Sequence, residues 1–353
     1  MQTDTRIPVT VLSGFLGSGK TTVLNGWLRE PRFKDTAVIV NELGDIGIDH
    51  LLVASSTDNI VLLESGCICC AQLESLKETL ADLYYRRTRA EIPNFSRVLV
   101  ETTGLADPAP LLQILLRNSF VAHFFRLAGL ITTVDALFGE RQLTEHGESV
   151  KQVALADQLI VTKTDLTANA CPALLRDRLR DLNPLVPIHC GSVADAVLVD
   201  VLMGCDAPAR SMEALRDTQL FVPRHDARIR SQSFVIEASI GWAGLAAWVD
   251  LVREFFGARL LRCKGLLLIN ETGGPVLVQG VQTVFATPQR LHDWPSDDHR
   301  SRLVCITRDI DSELLQASLG VLHAEPGTYR PASLEELLAT VTSQLPANGN
   351  HLQ

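Results

Sequence analysis

Short aliphatic and β-branched runs recur along the first two hundred positions. They are Val9-Thr10-Val11-Leu12, Ala37-Val38-Ile39-Val40, Ile60-Val61-Leu62-Leu63, Arg97-Val98-Leu99-Val100, Leu130-Ile131-Thr132-Thr133-Val134 and Gln158-Leu159-Ile160-Val161. Runs that are apolar throughout, instead of alternating, suit strands covered by helices on both faces, so the pattern predicts a parallel α/β sheet. Between them, Val23, Leu24, Trp27 and Leu28 mark one amphipathic helix, and Leu73, Leu76, Leu80 and Leu83 mark another. After a weakly patterned stretch carrying Pro208 and Pro223 the grammar changes. Ser233 to Ala238, Gly265 to Asn270, Val276 to Phe285 and Arg302 to Thr307 read as strands, with Gly273-Gly274 turning one pair. Trp242 to Phe256 and Asp309 to Leu322 read as helices, and Trp242, Trp248, Phe255 and Phe256 as core. The expected organisation is an α/β domain over residues 1–205, a linker over 206–230, a smaller α+β domain on a mainly antiparallel sheet over 231–345, and a tail over 346–353.

A chain of 353 residues is long enough for two cores. Its 46% hydrophobic and 21% charged residues are ordinary globular usage. The net charge of −9 repels a polyanion, so nucleic acid is not an expected partner. No apolar run approaches the ~18 residues of a spanning helix, so no membrane partner is expected either, and the polar start leads straight into the first strand with no room for a signal peptide. The expected location is the cytoplasm, where eight cysteines stay free or bind metal. Three of them, Cys67, Cys69 and Cys70, fall within four residues; Cys171, Cys190, Cys205, Cys263 and Cys305 are scattered.

Gly14-Phe15-Leu16-Gly17-Ser18-Gly19-Lys20-Thr21 matches the phosphate-loop pattern G-x-x-x-x-G-K-[ST], between an expected strand and an expected helix. Glycines let successive N–H groups curl around phosphates, the helix N-terminus adds partial positive charge, Lys20 reaches the terminal phosphates and Thr21 places a hydroxyl on Mg²⁺. Gly14, Gly17, Ser18, Gly19, Lys20, Thr21 and Thr22 are therefore the expected nucleotide contacts. Asn41-Glu42, Glu64 to Cys70, Glu101, Asp135 and Lys163-Thr164-Asp165 each follow an expected strand, which gathers them at the carboxyl edge of one sheet. Lys163-Thr164-Asp165 resembles the guanine-reading loop of GTPases, where the carboxylate accepts from the base N1–H and exocyclic amine. The usual leading Asn is Thr162 here.

The thiol run Gly66-Cys67-Ile68-Cys69-Cys70 admits three readings: small buried groups at a strand end, a redox pair Cys67-x-x-Cys70, or a site for a soft or borderline ion such as Zn²⁺ or Cu⁺. Three thiolates leave a tetrahedral site one ligand short, which suits exchange with a partner or a fourth ligand such as Glu42 or His50. The nine histidines are scattered and read individually as surface or satisfied core imidazoles.

Taken together, Gly14 to Thr21, Asn41-Glu42-Leu43-Gly44, Gly66 to Cys70, Glu101-Thr102-Thr103-Gly104-Leu105-Ala106-Asp107-Pro108 and Lys163 to Asp165 resemble the CobW family of P-loop GTPases, relatives of the hydrogenase and urease nickel-insertion GTPases. Arg262 to Gly265, Gln279 to Val281 and Trp294-Pro295 are similar to that family's carboxyl-terminal domain. The resemblance implies GTP hydrolysis coupled to delivery of a metal, zinc or in some branches cobalt, to a client metalloprotein. It implies that Lys20 and Thr21 handle phosphate and Mg²⁺, Glu101 and Gly104 sense the γ-phosphate, Lys163 and Asp165 read guanine, and Cys67, Cys69 and Cys70 hold metal. Leu43, Asp45 and Thr162 depart from the usual Phe, Glu and Asn, and the His-rich stretch of many relatives is missing. Two other classes fit the phosphate loop or the thiols alone: an ATP- or GTP-dependent phosphotransferase, and a non-catalytic metal-binding module.

Overall fold

The computed structural model describes residues 4–41, 61–65, 73–167, 171–184, 186–191, 228–237, 240–294 and 297–324. The chain divides into two compact units, Met1–Thr218 and Gln219–Gln353.

The first unit is built on a seven-stranded, all-parallel sheet. Its strands are β1 (Ile7–Gly14), β2 (Thr36–Asn41), β3 (Val61–Ser65), β4 (Arg97–Glu101), β5 (Phe125–Asp135), β6 (Gln158–Thr162) and β7 (Ile188–Cys190), in the order β3-β2-β4-β1-β5-β6-β7. The six expected runs are the six long strands. The short β7 is additional: His189 and Cys190 interrupt its apolar character, so it carries no strand signal of its own. Strand β5 also starts earlier than its hydrophobic run, because Phe125 to Leu127 pair with Ile7 to Val9 ahead of an irregularity at Val9/Thr10.

Helix α1 (Lys20–Leu28) buries Val23, Leu24, Trp27 and Leu28, which pack with Leu12, Val38, Val40, Leu99, Ile131 and Ile160 from the sheet. These groups lie within a few per cent of complete burial, and removing a large one such as Trp27 costs about 3–5 kcal/mol. The remaining helices are α2 (Leu73–Thr88), α3 (Ala109–Arg117), α4 (Ser119–Phe124), α5 (Gly139–Glu145), α6 (Gly147–Leu155) and α7 (Ala173–Leu182). Leu76, Leu80 and Leu83 form the buried stripe of α2 as expected. Because every strand runs the same way, the ends of β1, β4, β5, β6 and β7 open on one edge, where the unusual residues collect.

The second unit is an antiparallel sheet of β8 (Ile229–Ile236), β9 (Leu260–Ile269), β10 (Gly274–Val281), β11 (Val284–Phe285), β12 (Gln289–Arg290) and β13 (Ser301–Arg308). Helix α8 (Trp242–Leu251) continues as a π turn to Phe256, and α9 (Ser312–Ser318) as a 3₁₀ turn to His323. They cover one sheet face through Trp248, Phe256, Cys263, Leu267, Leu303 and Leu315, and Trp248 donates its indole N–H to Ser318 Oγ at 3.2 Å.

Three details differ from the sequence reading. The run Val276 to Phe285 is not one strand: Gln282 turns it with φ of 53°, and β11 folds back on β10 through Gly280–Phe285 and Val281–Val284. No Gly or Asn marks that turn, which is why the pattern missed it. Strand β8 begins at Ile229, so residues 229 and 230 belong to the sheet, not the expected linker. Trp242 is 38% exposed at the start of α8, not core. Among the described residues, no helix is long and apolar enough to cross a membrane.

Candidate functional site

Residues Gly14 to Thr21 connect central strand β1 to α1 at the carboxyl edge. Gly14, Gly17 and Gly19 have φ of 145°, 71° and 84°, a region costly for residues with a Cβ, and a Cβ on Gly14 would lie 2.2 Å from Thr133 Oγ1. Gly19 caps α1 without a side-chain acceptor, leaving the first N–H groups of the helix to face the loop. Lys20 donates its ammonium hydrogens to Gly14 O at 3.0 Å and Phe15 O at 3.3 Å, which holds the cation over the loop. Thr22 is exposed on the first turn.

Thr21 Oγ1 donates to Glu101 Oε1 at 2.8 Å. Glu101, 5% exposed, closes β4, whose register sets it beside Leu12 of β1 and Val40 of β2. A hydroxyl and a carboxylate converging beside a phosphate loop form a hard-oxygen donor pair that fits Mg²⁺. Gly104 lies in the segment after β4, and a Cβ there would sit 2.7 Å from Leu16 N and 2.8 Å from Leu16 Cα. The backbone of that segment therefore rests directly on the phosphate loop. Replacing Gly104 with Ala is expected to displace the two loops, to lower nucleotide turnover about 10- to 100-fold and to lower the melting temperature by an overpacking cost of about 1–3 kcal/mol. Steady-state kinetics beside a melting curve checks this, and wild-type turnover contradicts it.

Lys163 stands in left-handed backbone, φ 56°, at the end of β6, and Asp165 is exposed on the 3₁₀ turn Thr164–Leu166 that follows. The Lys163 ammonium donates to Asp135 Oδ2 at 2.6 Å, while Asp135 Oδ1 accepts from Leu137 N at 2.8 Å and Phe138 N at 3.3 Å. Asp135 is thus a buried anchor for both the Lys163 stem and the turn after β5.

The expected phosphate-handling and base-reading residues are brought to one edge. Glu42, Cys67, Cys69 and Cys70, with His50, lie outside the described residues. Among the described residues, no group of three or more His, Cys, Asp or Glu is arranged to hold a metal.

Further hydrogen bonds, whose pattern the sequence does not display, tie this edge together. Thr162 Oγ1 donates to Ser18 O at 2.7 Å with Val134 O at 3.2 Å, so the residue that departs from the usual Asn joins the end of β6 to the phosphate loop. Ser18 Oγ and Thr133 Oγ1 share a hydrogen bond of 2.7 Å. Gln152, 1% exposed on α6, donates to Gly104 O at 3.1 Å and Ala106 O at 3.0 Å, and Lys151 pairs with Asp107 at 3.1 Å. Together these two neighbours pin the segment from Gly104 to Asp107 to α6. The available signal was weak: hydroxyls in the otherwise apolar β5 run, and one amide on the buried stripe of α6. His146 stacks on Phe15 with ring centroids 4.6 Å apart, and His189 bonds Gln158 at 2.9 Å, so these two imidazoles are satisfied locally.

Comparison with known proteins agrees with this geometry. A family profile described as CobW/HypB/UreG, nucleotide-binding domain, matches residues 8–190, and one described as Cobalamin synthesis protein cobW C-terminal domain matches residues 229–322. The protein named Zinc chaperone YjiA of Escherichia coli (strain K12) is 29% identical over 319 residues, which are 90% of this chain and 99% of that one. The Schizosaccharomyces pombe protein named Zinc-regulated GTPase metalloprotein activator 1 is 31% identical over 189 residues, 52% of this chain and 45% of that one. A crystal structure of Zn(II)-bound YjiA GTPase from E. coli shares the fold with a TM-score of 0.68 at 24% identity, covering 90% of this chain and 99% of that one. With the phosphate-loop pattern lying between β1 and α1 and both profiles matched in chain order, this chain belongs to the CobW/HypB/UreG family.

Proposed function

We propose that the chain is a GTP-hydrolysing metallochaperone that carries zinc on Cys67, Cys69 and Cys70, with Glu42 as a candidate fourth ligand, and delivers it to a client metalloprotein according to nucleotide state. The observation that carries the reading is the 2.8 Å contact of Thr21 with Glu101 beside the phosphate loop, in a chain whose base-reading segment is tied to that loop by Thr162. Relatives named for zinc and for GTP support both halves.

In this reading Lys20 and the amides of Gly17 to Thr22 bind the β- and γ-phosphates. Mg²⁺, when held by Thr21 and Glu101, neutralises charge on the phosphate oxygens. Gly104, seated on Leu16, brings the segment after β4 against the terminal phosphate, where presence or loss of that group is felt. Gln152 and Lys151 set the resting position of that segment. Asp165 accepts from guanine N1–H and its amine, while Lys163, fixed by Asp135, lays its stem along the base.

The link to metal is topological. Ser65 ends β3 opposite Asn41, Val40 pairs with both Glu64 and Glu101, and Glu101 pairs with Leu12. Strand β3, whose last residue Ser65 precedes the thiol run by two positions in sequence, lies three strand spacings or about 14 Å from β1.

Asp165→Asn tests base choice. It removes a charge-assisted acceptor for two guanine donors, so GTP affinity is expected to fall about thirtyfold, roughly 2 kcal/mol, while xanthosine triphosphate, which offers an acceptor at that position, is expected to gain. Binding measured with both nucleotides decides it; unchanged GTP preference excludes the assignment.

A further inference from the structure

The segment from Gly104 to Asp107 has the phosphate loop on one side and helix α6 on another. What α6 offers it is a buried amide. Gln152 gives Nε2 hydrogens to Gly104 O at 3.1 Å and to Ala106 O at 3.0 Å. Its Oε1 is buried and, among the described residues, has no partner. Turning the amide over would set carbonyl against carbonyl twice, so the two acceptors fix which end faces them. A buried acceptor left unpaired costs stability, and Met would fill the same space without that cost. The two donors, not packing, account for an amide at this position.

The amide is carried on a rigid support. Thr132 Oγ1 of β5 donates to Gln152 O at 3.0 Å. Asn183, buried at the end of α7, donates to Val153 O at 3.0 Å, Ala154 O at 3.3 Å and Ala156 O at 3.0 Å, which ties down the last turn of α6. The flanks of the segment are fixed as well. Thr102 N donates to Leu12 O at 2.9 Å ahead of it, and behind it Asp107 accepts from Lys151 Nζ at 3.1 Å and from Ala109 N at 3.0 Å. Gln152 holds the middle.

We propose that Gln152 is a positioning residue that lets the site tell GTP from GDP, by keeping the carbonyl oxygens of Gly104 and Ala106 turned to α6 and away from the terminal phosphate. A carbonyl oxygen carries partial negative charge and repels a phosphate, and a trans peptide points its N–H opposite to its C=O. Tying the two oxygens to α6 therefore turns the N–H groups of Leu105 and Asp107 to the other side. The segment then meets an anion without opposing dipoles and needs no reorganisation as the γ-phosphate arrives. GDP lacks that phosphate, so its binding does not draw on the hold.

The effect on nucleotide rests on the GTP-hydrolysing reading; the hold on the segment does not. The test compares the full chain with Gln152→Met, which keeps side-chain length and removes both donors, and with Lys151→Ala, which loosens the same segment from a half-buried position. Affinities for GDP and for a non-hydrolysable GTP analogue are measured beside steady-state GTP hydrolysis and amide exchange of peptides covering residues 104–107 in nucleotide-free protein. In Gln152→Met the analogue is expected to bind about tenfold more weakly and kcat to fall about 10- to 100-fold, while GDP affinity stays within about twofold of the wild-type value. Exchange over the segment is expected to quicken about fivefold. Lys151→Ala is expected to weaken the analogue about two- to threefold and to leave GDP alone. Equal losses for GDP and analogue in Gln152→Met mark a structural role and overturn the proposal, as do wild-type values for both. If Gln152→Met does not fold, Lys151→Ala decides, and an unchanged ratio of analogue to GDP affinity overturns it. A wild-type chain that binds no guanine nucleotide refutes the GTP reading and the nucleotide effect with it, and the exchange rates still decide whether Gln152 holds the segment.

Discussion

Replacing Lys20 with Ala is expected to lower GTP turnover about 10²- to 10³-fold, chiefly in kcat, as loss of one preorganised charge stabiliser does elsewhere. Its ammonium is held over the loop by Gly14 O and Phe15 O, so the charge is in place before phosphate arrives. Transfer of the γ-phosphoryl group concentrates negative charge on its bridging and equatorial oxygens, and a cation already positioned there costs no reorganisation as that charge develops. The substitution leaves the framework alone: Lys20 is the first residue of α1, Ala is a good helix former, and the Thr21–Glu101 and Thr162–Ser18 contacts do not pass through it. Steady-state GTP hydrolysis beside thermal unfolding separates the two effects. A fall below tenfold with an unchanged melting temperature contradicts the assigned role.

The parallel sheet was readable because its strands are buried on both faces and so lack polar interruptions. The phosphate loop was readable because its glycines answer a backbone demand visible as a fixed spacing, as the positive φ angles of Gly14, Gly17 and Gly19 bear out. The antiparallel sheet of the second unit followed from its strand runs, except where Gln282 adopts left-handed backbone without a turn residue's signature. The cross-links of the site were hidden for a different reason. Thr133, Thr162 and Gln152 act through hydrogen bonds to backbone carbonyls or hydroxyls more than twenty residues away, and such bonds leave no local periodicity. Asp135 stood out only as a carboxylate after a strand; its partnership with Lys163 needed the register of β5 against β6. The thiol run Cys67 to Cys70 remains the most informative string for metal chemistry, and the register Leu12–Glu101–Val40–Glu64 links β3, the strand that precedes it in sequence, to β1.

That register is the basis of the largest effect expected here. A carrier must hold its ion in one state and give it up in the other. Moving a site from nearly full to nearly empty takes a difference of about 5.5 kcal/mol between states, roughly 10⁴ in affinity. Zinc–thiolate sites have that much to vary, since structural zinc binding reaches about 10–16 kcal/mol. In the proposed cycle, GTP holds the segment following β4 toward the phosphates and favours zinc on the thiol site, and loss of the terminal phosphate disfavours it. Zinc affinity is therefore expected to be higher in the GTP state. The most direct measurement is an anaerobic competitive zinc titration of the full chain loaded with GDP and, separately, with a non-hydrolysable GTP analogue. The account predicts zinc binding about 10⁴-fold tighter with the analogue, lost when Cys67, Cys69 and Cys70 are changed to Ser; equal affinities in the two nucleotide states would contradict it.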